Sequence, residues 1–163
     1  MDSASVGTPE IVVDRPSLVV ATHDDLFLCG WRGVGSLEDL QTLNSVHEVV
    51  AAKRPRGKIA EVCITTTAMV RPVSEDIRRE INRRATELAP TYIAGAMVVL
   101  GDGFGASVLR SVLGGALLLR RSHFPYRSFS SIDLASDWLG PHIDMTGGEL
   151  AALVHSFHRR IMA

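Results

Sequence analysis

Histidines that lie close to carboxylates or to one another are the residues of this chain best suited to bind a metal ion or to move a proton. They form three groupings, which are His23 with Asp24 and Asp25, His142 with Asp144, and His155 with His158. Adjacent residues at a hairpin tip point apart into solvent, and two imidazoles are too few ligands to hold zinc without distant help. The sequence therefore predicts no metal site, and we interpret these histidines as surface or interface residues.

An enzyme would need a nucleophile, a base and a group that orients the base, all within hydrogen-bonding reach. The sequence displays no such set. His123 and Asp133 are an example of scattered groups that would have to converge in one cleft. We therefore expect a non-catalytic protein and keep an enzyme of unknown class as an alternative.

A glycine-rich stretch at residues 101–106 follows an apolar run and formally fits the G-x-G-x-x-G/A pattern that holds a pyrophosphate. Asp102 would repel phosphate, and the stretch lies late in the chain. No acidic residue follows at the distance where a ribose would need one. We interpret the stretch as a tight strand-to-helix turn and predict no cofactor.

The two cysteines, Cys29 and Cys63, lie in apolar runs and have no flanking charges that would activate a thiol. They are interpreted as inert core thiols in a reducing compartment, with a disulfide between neighbouring strands left open. Residues 1–16 lack the basic start and apolar core of a secretion signal. Polar and glycine residues interrupt the longest apolar region, residues 92–119. These features predict a cytoplasmic protein without a membrane span.

The charge of the chain gives no reason to expect a nucleic acid as partner. The net charge is −1, and arginines alternate with acidic residues in one helical segment. The arginines are Arg78, Arg79, Arg83 and Arg84, and the acids are Glu75, Asp76, Glu80 and Glu87. Such a mixture predicts a solvated, salt-bridged surface rather than a track for phosphates.

Apolar runs and helical stripes alternate along the chain after an opening hairpin that joins residues 17–22 to residues 26–31. The predicted order is β-β-α-β-α-β-α-β-α-α. It indicates a single α/β domain over residues 17–163, with a mixed, mostly parallel sheet, helices packed on it and an extra C-terminal helix. Residues 1–16 are expected to be a loose lead-in with a short strand at residues 11–13.

Two of the helices carry apolar stripes that should face the sheet. The stripe of the first helix consists of Leu37, Leu40, Leu43, His47 and Val50, in which His47 is interpreted as a partly buried structural histidine. The stripe of the second helix consists of Ile77, Ile81, Ala85 and Leu88, and its arginines lie mostly off that stripe.

Two segments of the C-terminal half carry a family resemblance. Residues 108–114 (VLRSVLG) read as a small-residue helix. Residues 127–139 (RSFSSIDLASDWL) place an aromatic residue on a short strand before a helix with Ala and then Trp-Leu. Together with the element order, they make residues 17–140 resemble the STAS-type domain, the fold of the anti-sigma-factor antagonists and their lipid-carrier-like relatives. The resemblance implies that fold and a mostly non-catalytic, partner-binding role.

The segment after the central strand departs from the family pattern. STAS antagonists carry an Asp-Ser-Ser/Thr-Gly type of turn there, in which a hydroxyl is phosphorylated. The matching hydroxyls here belong to Thr65, Thr66 and Thr67, with no Asp before them and no Gly after them. We keep these threonines as candidate regulatory hydroxyls, and the phosphoswitch itself is not carried over.

The helix predicted over residues 106–119 is unusually poor in bulky side chains. Ser107, Ser111, Gly114 and Gly115 would let it pack tightly on the sheet, pair with a second subunit or line a pocket for an apolar ligand. The sequence therefore predicts a regulatory or protein–protein interaction module with an unknown protein partner, with a homodimer among its possible assemblies. A carrier or sensor of a small apolar ligand is the alternative.

Overall fold

The computed structural model describes residues 7–66, 74–103, 105–108, 110 and 123–163. They form a single α/β domain on a six-stranded mixed sheet whose spatial order follows the chain order. The strands are β1 (Glu10–Asp14), β2 (Leu18–His23), β3 (Leu26–Trp31), β4 (Ile59–Thr66), β5 (Tyr92–Leu100) and β6 (Tyr126–Phe129). The predicted mixed, mostly parallel sheet is confirmed.

The strand pairing changes from antiparallel to parallel at β3. Strands β1, β2 and β3 pair antiparallel, whereas β3 to β6 pair parallel. The opening hairpin turns at Asp24, whose φ of 47° lies in the left-handed region that Asp tolerates better than most residues. The short strand expected at residues 11–13 is present as β1, which pairs with β2 at the sheet edge.

Four helices are described over their full lengths, and each begins at a hydroxyl residue that caps its first turn. They are α1 (Leu37–Ala52), α2 (Glu75–Glu87), α3 (Ile132–Leu139) and α4 (Gly147–Met162), capped by Ser36, Ser74, Ser131 and Thr146. Short 3-10 turns follow α2 at Ala89–Thr91 and α3 at Gly140–His142. Residues 105–108 and 110 are also helical, and the remainder of the helix predicted over residues 106–119 lies outside the described residues.

Each face of the sheet is covered by helices. One core joins alternate strand residues to α3 and α4, and Leu139, Leu153 and Phe157 lie at its centre. The other core joins the opposite strand residues to α1 through Leu43 and Ala51. Strands β4 and β5 are therefore buried on both faces, which explains their nearly continuous apolar runs.

The apolar stripes predicted for α1 and α2 are only partly correct. In α1, Leu43 and His47 are buried and the half-buried Val50 packs against the same core, but Leu37 and Leu40 are only half-buried. Their places in the interior are taken by Asp39, Asn44 and Ala51. In α2 no residue is buried, and Ile81 is 39% exposed. Polar side chains of both helices point inward because they find partners there.

Within the described part of the chain, no helix has the length and apolar character that crossing a bilayer requires.

Candidate functional site

The predicted regulatory hydroxyls lie at the carboxyl edge of the parallel strands. Thr65 and Thr66 end β4, where they pair in register with Val99 and Leu100 of β5. Both are half-buried, and Thr65 Oγ1 makes a long hydrogen bond of 3.5 Å to the Thr66 carbonyl. Thr67 lies outside the described residues, so the third hydroxyl has no described position.

Ser107 is exposed on the first turn of the helical segment after β5. Its N–H donates to the Gly103 carbonyl at 3.2 Å, and the φ angles of Gly101 and Gly103 are 122° and 94°. Those positive angles require glycine, so residues 101–103 form the tight turn that the sequence predicts. The other three residues of the predicted small-residue surface, Ser111, Gly114 and Gly115, lie outside the described residues.

The three histidine groupings predicted from the sequence do not come together at one site in the structure. His23 lies 3.7 Å from Asp24, a residue whose side chain is almost fully exposed. His155 Nε2 lies 3.0 Å from Asp133 Oδ1, so Asp133 pairs with α4 rather than with His123. No group of three or more His, Cys, Asp or Glu residues among those described could hold a metal ion.

Cys29 and Cys63 are register partners on β3 and β4, and both are buried free thiols. The hydrogen bond with Cys63 and then burial raise the pKa of the Cys29 thiol well above its usual value. A protonated, buried thiol is a poor nucleophile, which agrees with the interpretation of Cys29 as a core residue.

A buried ion pair that the sequence analysis missed links α2 to the sheet. Glu61 is the third residue of β4 and is only 2% exposed. One of its carboxylate oxygens accepts from the guanidinium of Arg84 on α2. The other accepts from the hydroxyl of Tyr92, the first residue of β5, at 3.3 Å. Both oxygens of the carboxylate are thus occupied.

The Arg84 guanidinium has partners on α1 and β5 as well. Its Nη1 donates to Asn44 Oδ1 at 2.9 Å, and Asn44 Nδ2 donates to Glu80 Oε1 at 2.6 Å. The guanidinium carbon lies 5.8 Å from the centre of the Tyr92 ring, within the range of a cation–π contact. We call the five residues Asn44, Glu61, Glu80, Arg84 and Tyr92 the α2 clasp.

Electrostatics keep the α2 clasp charged. Burial lowers the pKa of Arg84, but the groups around it, of which the Glu61 carboxylate acts most strongly, together outweigh burial and raise that pKa above its ordinary value. Burial raises the pKa of the Tyr92 hydroxyl well above its ordinary value. Arg84 therefore stays a cation and Tyr92 a neutral donor, which are the states that the hydrogen bonds require.

His47 lies beside the α2 clasp as a neutral imidazole. Burial, and then the nearby Arg84 charge, lower the pKa of His47 to about 3. The Thr91 hydroxyl donates to the Leu88 carbonyl at 2.6 Å, so His47 Nε2 must be the donor in its 2.7 Å bond to Thr91 Oγ1. His47 Nδ1 then carries no proton and has no hydrogen-bond partner among the described residues.

A row of aromatic rings that includes His47 runs towards the β6 edge of the sheet. In order of contact, they are Phe27, His47, Tyr92, Phe124 and Tyr126. Gly95 makes room for the last ring, since a Cβ atom there would lie 2.5 Å from Tyr126 ring atoms. The rings and the α2 clasp lie near the amino ends of β5 and β6, whereas ligands of open parallel sheets bind beyond the carboxyl ends. With Arg84 in place, we therefore interpret the α2 clasp as a device that positions α2.

The sequence prediction for the arginine-rich helix is correct in part. Arg78 pairs with Glu75 and Arg79 with Asp76 at the surface, as a solvated salt-bridged face should. Arg84 is the exception. The available signal was the single carboxylate of Glu61 in an otherwise apolar strand, because a buried charge needs a partner of opposite sign.

An exposed patch with aromatic, aliphatic and basic side chains lies where β6 meets α3. Leu134 is 55% exposed, and Trp138 follows it by one helical turn. The Arg127 guanidinium carbon lies 5.7 Å from the centre of the Trp138 ring, and the His142 ring lies 5.0 Å away. We call Arg127, Leu134, Trp138 and His142 the α3–β6 patch.

A shallow groove of about 360 Å³ separates the start of β1 from the end of α4. Ile11, Pro9 and Phe157 line it, and Arg159 and Arg160 contribute to its wall. Arg160 is engaged by Asp14 at 2.7 Å. The groove is open to solvent rather than enclosed.

Comparison of the sequence with known protein families and with curated proteins finds no match. Comparison of the fold does: the chain is similar to the crystal structure of an uncharacterised DUF3478-family protein with a SpoIIAA-like fold from Shewanella loihica PV-4. The TM-score is 0.57 at 14% identity, over 85% of this chain and 98% of that chain. The STAS-like fold predicted from the order of elements is therefore confirmed.

Proposed function

We propose that this chain is a non-catalytic regulatory module of STAS-like fold that binds a protein partner through the α3–β6 patch. The patch carries the proposal because it exposes Leu134 and part of Trp138 beside a stacked arginine. Trp and Arg are the residue types that most often dominate the binding energy of protein interfaces. Single exposed apolar residues are ordinary on a monomer, but an aromatic and an aliphatic residue one turn apart form a contiguous surface.

The chemistry of the patch indicates what the partner presents. Arg127 and His142 are exposed at its border, while the nearby Asp133 is engaged by His155 on α4. The surface therefore places apolar side chains next to the basic groups of Arg127 and His142. An apolar side chain flanked by carboxylates is its complement.

The polar interior supports the non-catalytic part of the proposal. Glu61, Arg84 and Tyr92 hydrogen-bond to one another inside the α2 clasp, so they hold helices in place and keep no reactive group free. The two buried free thiols fit a reducing compartment, so we place the module in the cytoplasm. The predicted absence of nucleic-acid binding fits the acidic partners of Arg78 and Arg79.

The test compares affinity capture by the wild type, Leu134→Glu and Val49→Glu. Val49 is a matched control, because it is 53% exposed on α1, which covers the opposite face of the sheet. The proposal predicts a protein that the wild type and Val49→Glu retain and that Leu134→Glu loses. Capture that is equal for all three proteins would contradict it. Native mass spectrometry of the same samples identifies a second copy of this chain as the partner if only Leu134→Glu is a monomer.

A second candidate function is a carrier of a small apolar ligand, which the groove between β1 and α4 favours. Its volume of about 360 Å³ lies at the lower end of the range for small-molecule sites, about 300–1,000 Å³. A ligand that survives native mass spectrometry of the wild type and is lost in Ile11→Asp would support this candidate. A wild-type protein that carries no ligand after purification would count against it.

A further inference from the structure

Helix α2 is held to the domain by charge rather than by apolar burial. No residue of α2 is buried, although Leu88 and Ala89 directly after it are. Its exposed ion pairs, such as Arg78 with Glu75, link residues of the same helix and contribute little to stability. At the helix border Arg83 also reaches Glu48 on α1 at 2.9 Å, which is a further charged attachment. The buried attachment of α2 to the sheet is the Arg84–Glu61 pair.

A charged attachment of this kind opens more easily than an apolar one. The closed state removes both charges from water, and that desolvation cost offsets much of their attraction. When α2 leaves the sheet, Arg84 and Glu61 recover their hydration. A helix held by an apolar stripe would instead expose that stripe to water. The 3-10 turn after α2 is a fixed pivot, because Thr91 is hydrogen-bonded to the buried His47.

The surface under α2 has the composition of a guanidinium site. Glu61 offers a carboxylate, Asn44 offers its amide oxygen, and the Tyr92 ring offers a π face. Planar guanidinium groups match this combination of acceptors and ring better than ammonium groups do. In the closed state Arg84 fills the site from within the same chain.

We propose that α2 is a hinged strap latched by Arg84, and that the site it covers, Glu61 with Asn44 and Tyr92, takes an arginine side chain from a partner when the strap is open. Arg84 is then an internal competitor of that arginine. This inference rests on the proposed partner-binding function but involves a different surface from the α3–β6 patch. The capture result for Leu134→Glu is therefore independent of whether α2 covers an arginine site.

Amide hydrogen exchange of the wild-type protein tests the strap. The strap predicts that amides of α2 exchange through an opening that leaves α1 and β4 protected. Arg84→Gln should raise exchange in α2 by about tenfold or more without changing α1. Arg78→Gln, an exposed arginine on the same helix, should leave exchange within about twofold. Exchange of α2, α1 and β4 through one common opening would overturn the proposal.

L-argininamide tests the covered site in the same experiment, with L-lysinamide as the control of equal charge. Argininamide at millimolar concentration should raise exchange in α2 of the wild type, because it competes with Arg84 for Glu61. Lysinamide should raise it less. No change in α2 exchange with argininamide, an equal effect of the two compounds, or an increase spread over all elements would overturn the guanidinium site.

A variant that lacks the latch provides the second readout. Arg84→Ala, or Arg84→Gln if the alanine variant does not fold, leaves the site vacant beside Glu61. Ethylguanidinium should raise the melting temperature of this variant more than ethylammonium does, and should not do so for Arg78→Ala. Equal shifts for the two cations would contradict a site that is selective for guanidinium.

Discussion

Replacing His47 should remove a specific part of the pH dependence of stability. The folded protein holds His47 neutral, with a pKa of about 3, whereas the same residue in the unfolded chain has a pKa of about 6.5. The unfolded state therefore binds one more proton than the folded state between these two values. The His47 contribution to stability is fully present above pH 6.5 and is lost as the pH falls towards 3.

The size of the effect follows from the two pKa values. When the pH falls from 8 to 5, protonation of His47 in the unfolded chain should lower the free energy of unfolding by about 2 kcal/mol. In a domain of this size, that corresponds to a fall of about 4–8 °C in melting temperature. Carboxylates with lowered pKa values, such as Asp39 and Glu80, lose their contribution mainly below pH 5. The window from pH 8 to pH 5 therefore isolates histidine.

Urea unfolding of the wild type, His47→Gln and His123→Gln at pH 8 and pH 5 measures this effect. Glutamine does not titrate, and its amide can donate to Thr91 in place of the imidazole. His47→Gln should be less sensitive to pH by about 2 kcal/mol across this window. His123 is exposed, so its variant should follow the wild type. Equal pH dependence in His47→Gln and the wild type would refute the assignment of a buried neutral imidazole.

Two further predictions concern single positions in the fold. Asp39→Ala should destabilise the domain by about 2 kcal/mol in urea unfolding, because the buried carboxylate accepts from Ser17 Oγ at 2.6 Å and completes the capping box of α1 with Ser36. The control Glu38→Ala, at an exposed neighbouring position, should cost under about 0.5 kcal/mol. Equal losses of stability in the two variants would contradict the role of Asp39. Gly95→Ala should cost about 1–3 kcal/mol in urea unfolding, since the added methyl would meet the Tyr126 ring at 2.5 Å. A smaller cost of Gly95→Ala in a Tyr126→Ala background than in the wild type would show that this contact is the cause, and an unchanged melting temperature of Gly95→Ala would refute it.

The sheet could be predicted from the sequence because its signals are local. The hairpin has two short apolar runs around the polar residues at 23–25, and β3 begins and ends where the second apolar run does. Each of the four fully described helices begins at a hydroxyl residue that caps it. Such signals depend on residues within one turn of one another.

The polar interior could not be predicted in the same way, because its partners are distant in sequence. Arg84 is 23 residues from Glu61 and 40 from Asn44. Helical periodicity places Arg84 on the solvent side of α2. Only the fold shows that the Glu61 carboxylate lies on the sheet beneath it. For the same reason the stripe of α1 was wrong at Leu37 and Leu40, since Asp39 and Asn44 gain buried partners that a hydropathy pattern does not register.

The α3–β6 patch could not be predicted from the sequence either, because it depends on a contact between two elements. Trp138 was recognised as part of the family resemblance, but its contact with Arg127 joins a strand to a helix. The sequence alone placed the interaction surface on the helix over residues 106–119, of which Ser107 is described and exposed. That assignment remains a prediction beside the one drawn from the patch.

The most direct test of the proposed function is a comparison of partner capture by the wild type, Leu134→Glu and Val49→Glu, each with its fold checked by circular dichroism. The account predicts that a protein retained by the wild type is also retained by Val49→Glu and is lost by Leu134→Glu while all three remain folded. Equal retention by folded Leu134→Glu and Val49→Glu would show that the α3–β6 patch is not the binding surface and would contradict the account.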